Sequence, residues 1–420
     1  MRITVLLFVC TLPMLVWGQN KTPQATWFLD GAKIESENRS HTALEAFDPD
    51  ASVVYATNGV TVYMTSIRLN KTAGSTLDSD RRMTGVNSAV VADGGSTIRL
   101  EFGTVVTHSP QSDGISAIGE GTKCILKKGT VTTNRPGSAA LCSTNGADIN
   151  SEGTILRTID HQSPLVLANK GGNIELNKAE GESNGQGAPI FLSDGIINAD
   201  ACRMSSAKWT IGSIENGKLK LNKSEVKSGG ICGFLLYSNG KDNNVENSLE
   251  LSLNNISVKE GPLFFVTNNK KADIIVNKGN KISQKSDDLM LVKGDDWGVK
   301  GANGGHANLQ VNGQALKGDV YVDSISSLNV ELNKGAKLNG QINNVENRCA
   351  QVRVNIQKGA TWTSKGASYL TSIEFGQPLE KGLKQLKGKH TIYYDPSDPA
   401  NAPLEGKEYK TGGGKLCPLK

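Results

Sequence analysis

Acid–base chemistry on a sugar needs carboxylates in pairs, and the chain has two adjacent pairs, Asp287-Asp288 and Asp295-Asp296. Two carboxyl groups flanking a glycosidic bond divide the work of hydrolysis: one protonates the leaving oxygen, the other activates water or attacks the ring. Both pairs border the apolar tract 289–292 in turn-like contexts, so they are expected to be solvated turn carboxylates. Ile159-Asp160-His161 sets an imidazole beside a carboxylate, and here too a corner residue is the simpler reading. The other histidines, His41, His108, His306 and His390, are scattered, with no Ser or Cys context for a nucleophile–base pair. No C-x-x-C or Cys/His cluster has metal-ligand spacing. Gly412-Gly413-Gly414-Lys415 lacks the spacing of a phosphate-binding loop and a following helix. No catalytic, cofactor-binding or metal-binding residue is therefore assigned, and the chain is expected to be non-enzymatic, with no cofactor.

The positions that must be held in place recur along the chain. An apolar–any–apolar–Asn-Lys phrase stands at Ile67–Lys71, Ile174–Lys178, Leu219–Lys223, Ile274–Lys278 and Val330–Lys334, with looser copies ending at Asn254-Asn255 and Gln357-Lys358. A second series of short apolar tracts ends in glycine turns, among them Gly94, Gly119, Gly146 and Gly171. Gly is abundant at 47, Pro is low at 13 and aromatics are 5%. Apolar residues after position 19 alternate at period two, and no helix-length periodicity exists. Strands this short, separated by tight turns at a fixed period, form a stacked solenoid.

The expected fold is all-β: a single right-handed parallel β-helix with roughly 23–28 residues and three strands per coil, closed by a C-terminal cap. Alternate Val, Ile and Leu face inward, and the corner Asn or Gly takes the left-handed backbone conformation. At about 4.8 Å per coil the rod would hold roughly 13–14 coils and measure on the order of 65 Å.

The expected organisation is a signal peptide at 1–18, a lead-in at 19–27, the β-helix at 28–375, and a last strand with an irregular cap at 376–420. Arg2, the apolar tract 5–16 and Val16-Trp17-Gly18 carry the signal-peptide reading, which places the protein outside the cell or on its surface. No later tract is long enough to span a membrane as a helix. The six cysteines beyond the signal, Cys124, Cys142, Cys202, Cys232, Cys349 and Cys417, allow disulfides in 15 pairings, but small core residues are the favoured reading. Sequons at Asn20, Asn38, Asn70, Asn222 and Asn255 mark surface turns if the host glycosylates. Net charge is +5 and spread along the repeats, with no basic patch interleaved with aromatics, so nucleic acid is not an expected partner.

Glu260-Gly261-Pro262-Leu263-Phe264-Phe265-Val266-Thr267-Asn268 resembles a phrase of secreted bacterial β-helix proteins. So do Trp297-Gly298 with Gly304-Gly305-His306, the run 318–328, Gly359-Ala360-Thr361-Trp362-Thr363, the run 368–372 and Thr391-Ile392-Tyr393-Tyr394-Asp395. Over about 185–420 the chain resembles the pectin-lyase-like, autotransporter-adhesin-like group often labelled carbohydrate-binding; over 28–184 the likeness is generic. The resemblance implies the fold and export, without an established activity. The phrases of the enzymatic branch, Asn-Thr-Asp, Gly-His-Gly and Arg-Ile-Lys, are absent, and Arg135-Pro136 stands without the companion arginine of a lyase. The expected function is adhesion or glycan binding, with a polysaccharide or host cell-surface glycan as partner. The alternatives are a divergent polysaccharide lyase or glycoside hydrolase, and a structural spacer. The loop 294–305, with Asp295, Asp296 and Trp297, is the best sequence candidate for a sugar contact, although a Trp covering a coil edge is the commoner outcome.

Overall fold

The computed structural model describes residues 23–240, 242–344 and 350–420. The signal-peptide expectation at 1–18 lies outside the described residues, as does Cys349. The strands form a parallel β-solenoid of about 16 turns across residues 24–418, on the order of 75 Å long at about 4.8 Å per turn. Three sheets form its walls: sheet A has 12 strands, from Gln24–Asp30 to Asp319–Val322, sheet B 14, from Ser36–Ser40 to Ser372–Phe375, and sheet C 10, from Ala43–Ala46 to Lys281–Gln284, and each strand pairs with its counterpart one coil away. Two four-stranded sheets carry the third and first walls through the C-terminal coils.

The alternation read from the sequence produces the core. In sheet B, Ile98 and Leu100 lie over Cys124 and Leu126, then Ile149 and Ser151, then Ile174 and Leu176. All of these point inward and are buried. The next residues along each strand face solvent, so a one-residue slip would expose the whole row. At the corner between sheets C and A, hydroxyls close the turns: Thr107 donates to the Ser112 carbonyl at 3.1 Å, Thr133 to Ser138 at 2.8 Å and Thr158 to Ser163 at 2.7 Å.

The corner between sheets B and C holds one left-handed residue per coil whatever its side chain: Ser66, Phe102, Lys128, Gly153, Lys178, Ala201, Lys223 and Leu253. This corrects the expectation that the Asn of the Asn-Lys phrase makes the bend. In two copies the following lysine bends, and in two others the glycine after it, Gly279 or Gly335. The first copy, Ile67–Lys71, lies in sheet C, whereas the later ones lie in sheet B, so it belongs to another phase of the coil. Because a non-glycine residue in this conformation costs roughly 1–2 kcal/mol, Ala201→Gly should raise stability by about 0.5–1 kcal/mol. Ala315→Gly, in an ordinary strand, should lower it by about as much. Paired denaturation curves test both, and a loss of stability in Ala201→Gly would contradict the account.

Coil length is less regular than the sequence suggested. Thr61 pairs with Thr97, 36 residues on, and Asp273 with Asn308, 35 on, whereas Arg353 pairs with Ser372, only 19 on. The two long coils carry insertions, a strap at 72–88 and a loop at 293–305. The strand Gln24–Asp30 already pairs with Ala51–Thr57, ahead of the expected start at 28. Beyond Phe375, Trp362 pairs with Leu386, Ser368 with Ile392 and Thr391 with Lys415, so parallel stacking continues. These end turns account for the larger coil count. The short strand Tyr409–Lys410 then pairs antiparallel with Lys415–Pro418 and covers the last edge.

Candidate functional site

The outer face of sheet A is apolar, and both insertions cover it. A helical turn in the strap, Arg81–Thr84, brings two guanidinium groups to Asp113, which is fully buried. Arg81 Nη1 lies 3.1 Å and Arg82 Nε 3.6 Å from Asp113 Oδ2, while Asp113 Oδ1 accepts the Ala139 N–H at 2.6 Å. Arg81 and Arg82 also donate to the Gly137 carbonyl. On the other insertion, Trp297 packs edge-on against Tyr237 and Phe265 at 5.2 and 6.2 Å between ring centroids. Trp297 therefore covers the coil edge. Asp295 pairs with Lys293 at 3.1 Å, and Asp296 is exposed.

Two carboxylates missed in the sequence stand on successive coils where sheet A turns into sheet B. Ser193 pairs with Ile214, and Ile214 with Leu236. The next residues, Asp194, Glu215 and Tyr237, therefore stand in one column on successive coils. The Tyr237 hydroxyl donates to Glu215 Oε1 at 2.7 Å. Burial pushes the Glu215 pKa up; Tyr237 opposes the shift and the Asp194 charge adds to it. Burial likewise raises Asp194. Asp194 opens into a shallow cleft of about 560 Å³, whose lining includes Lys170, Asn216, Lys218 and Glu246. Glu215, half-buried, instead turns toward Tyr237.

A raised carboxyl pKa favours the folded state fully below its unfolded value near 4.5, and that contribution is lost as pH rises through the folded pKa. Glu215→Gln keeps the Tyr237 partner and removes the buried charge. It should therefore melt above wild type at pH 7.5 and level with it at pH 4. A mutant less stable at both pH values would contradict this.

The outer face of sheet B is largely polar, interrupted by Tyr63, Ile125, Ile196 and Ile275. Its most organised part spans the coils from Asp273 to Glu374. One edge column runs Asp273, Asn308, Asn329, Arg353, and the central column runs Gln310, Glu331, Asn355, Glu374. Asn308 Nδ2 donates to Asp273 Oδ1 and Asn329 Nδ2 to Asn308 Oδ1, both at 2.8 Å. On the other edge, Asn333 Nδ2 donates to Asn312 Oδ1, and Asn312 Nδ2 to Asn277 Oδ1, both at 2.9 Å. Asn277 continues the chain to Ser252 and Glu250. Asn308, Asn329, Asn312 and Asn333 each commit one N–H to the coil below and keep a second for solvent or a ligand, whereas Asn277 donates to two partners.

Between the Asp273–Arg353 column and the central column lies a groove of about 440 Å³, lined among others by Asp273, Asn308, Gln310, Glu331, Arg353 and Glu374. At its end, Arg353 Nη2 lies 2.9 Å and Nη1 3.1 Å from Asp398. The Arg353 hydrogen bond holds the Asp398 pKa below the usual carboxylate range. The arrangement presents fixed donors and acceptors along a line parallel to the rod, which suits an extended hydroxyl-rich ligand.

The remaining sequence candidates do not converge. Asp160 accepts both the ring Nδ1 and the backbone N–H of His161 at 2.7 Å in an exposed turn. Asp287 and Asp288 are exposed. Cys124, Cys142, Cys202 and Cys232 are free and buried, and Cys417 is free and partly exposed. Burial pushes the Cys124 and Cys142 thiols up to about 12. Among the described residues no group of three or more potential metal ligands forms, and no helix is long and apolar enough to cross a membrane.

Asn277 and Asn333 belong to the Asn-Lys phrase, but Asn312 between them does not, because Gly313 replaces the lysine. A pattern relaxed to apolar–any–apolar–Asn finds it. Fold and face together define a parallel β-solenoid with a covered apolar wall and an open amide-lined wall. Comparison with protein-family models, curated proteins and solved structures finds no match.

Proposed function

We propose that the chain is a secreted or cell-surface β-solenoid that binds glycan non-catalytically along the outer face of sheet B. One observation carries this reading: a hydrogen-bonded amide column walls one side of a groove parallel to the rod, and a second such column runs along the opposite edge of the same sheet. Amide side chains that are already braced lose little entropy on meeting a ligand, which favours weak, extended recognition of hydroxyl groups. The signal-like N-terminus supports export, and the likeness of 185–420 to pectin-lyase-like, carbohydrate-binding-labelled proteins points the same way. A divergent lyase or hydrolase is the second reading, and the raised carboxylates Asp194 and Glu215 favour it. That pair is split, with Asp194 in the cleft and Glu215 bound to Tyr237. A glycan array that includes uronic-acid polymers, followed by assays for reducing ends and unsaturated products, tests both readings. Binding without products is expected. Products would establish the enzymatic reading, and silence on every glycan would leave a spacer.

A further inference from the structure

We propose that the sheet B groove selects an electrically neutral, linear glycan lying parallel to the rod axis and refuses uronic-acid or sulfated chains. The inference rests on the glycan-binding reading above and adds the substrate class.

The charge of the lining carries the first half of the argument. Asp273, Glu331 and Glu374 face the groove against a single cation, Arg353. Arg353 is engaged on both nitrogens by Asp398, itself held ionised by that contact. Lys271, 2.7 Å from Asp273, offsets one carboxylate at the near end, and among the described residues Glu331 and Glu374 have no ion-pair partner along the centre. Among the described residues that line the groove, no guanidinium is free for the bidentate grip that carboxylate and sulfate ligands require. An anionic polymer would approach like charges and find no partner, a juxtaposition that costs affinity and slows encounter.

Spacing carries the second half. Gln310, Glu331, Asn355 and Glu374 occupy the same position on four successive coils. They therefore rise by about 4.8 Å each, close to one pyranose of an extended chain. Carboxylates and amides in that alternation can accept and donate to hydroxyls on every unit. The edge amides are fixed by their ladders, with Asn308 braced by Asp273 and Asn312 by Asn277. A branched or strongly coiled glycan would leave the line after one or two rungs.

The full chain is titrated calorimetrically with cellohexaose, xylohexaose and mannohexaose, and with hexagalacturonate as the anionic comparison. At least one neutral hexasaccharide should bind at least about tenfold more tightly than hexagalacturonate. Glu331→Lys/Glu374→Lys should narrow that gap, and Gln310→Ala/Asn329→Ala should weaken neutral binding. Hexagalacturonate binding as tightly as the neutral chains would overturn the inference while leaving the glycan reading standing. Neutral binding untouched by Gln310→Ala/Asn329→Ala would place the ligand elsewhere and also overturn it. No binding of any of the four would remove the glycan reading itself.

Discussion

Replacing Asp113 with alanine is expected to cost roughly 3–5 kcal/mol and to release the strap at 72–88 from sheet A. Asp113 is completely buried and Arg81 nearly so, so removing the carboxylate strands a guanidinium in a dry site. The Ala139 N–H loses its acceptor at the same time. Burial alone would raise the Asp113 pKa, but the charges of Arg81 and Arg82, with the Ala139 and Arg81 hydrogen bonds, hold it below the usual carboxylate range. A depressed carboxylate contributes stability that is full above its unfolded pKa near 3.8 and lost as pH falls through the folded value. Acid should therefore loosen the strap before the coils beneath it.

Solenoids unfold partly coil by coil, so the decisive probe is local. Hydrogen exchange of 72–88 should accelerate in Asp113→Ala far more than exchange in sheet B. Asp113→Ala/Arg81→Met should recover much of the loss, because no charge is then left unpaired. Exchange in Asp113→Ala equal to wild type would show that the strap is held by other contacts.

Trp362→Ala should cost a similar amount, roughly 3–5 kcal/mol, at the opposite end of the rod. Trp362 lies between Leu338 and Leu386 on neighbouring coils. Its side chain is fully buried, and Nε1 donates to the Gly340 carbonyl at 2.9 Å. Truncation opens a large cavity and leaves that carbonyl unpaired. Both neighbouring coils lose packing against the ring, so the loss reaches Leu338 and Leu386 alike. Trp362→Phe refills most of the volume without the N–H and should fall between wild type and alanine. Denaturant titration followed at the C-terminal coils gives the comparison, and equal stability of all three proteins would refute the packing account.

The strands were legible because burial on one face imposes period two, and Ile98, Leu126 or Ile174 could not face solvent without exposing a row. The left-handed turns at Gly94, Gly119, Gly146 and Gly171 were legible for a local reason, since each is a glycine at positive φ. The B–C corner was harder to place. There the solenoid forces Phe102, Ala201 and Leu253 into a conformation that none prefers, so residue type carries no signal.

Phase was the other difficulty. Asn70 shares its phrase with Asn177 yet sits on a different sheet, because a local phrase does not record which wall it builds. The alignment of Asp194, Glu215 and Tyr237 depends on two coil lengths in succession, and the approach of Arg81 to Asp113 on an insertion folding back. Trp297 was expected either to contact sugar or to cover a coil edge, and it packs half-buried against Tyr237 and Phe265.

The most direct test of the central claim is a crystal structure of the full chain soaked with the neutral hexasaccharide that binds best. The account predicts sugar density along sheet B, crossing Gln310, Glu331 and Asn355 in turn, with the sugar chain parallel to the rod. Density confined to the cleft of Asp194 and Lys218, with sheet B bare, would contradict it.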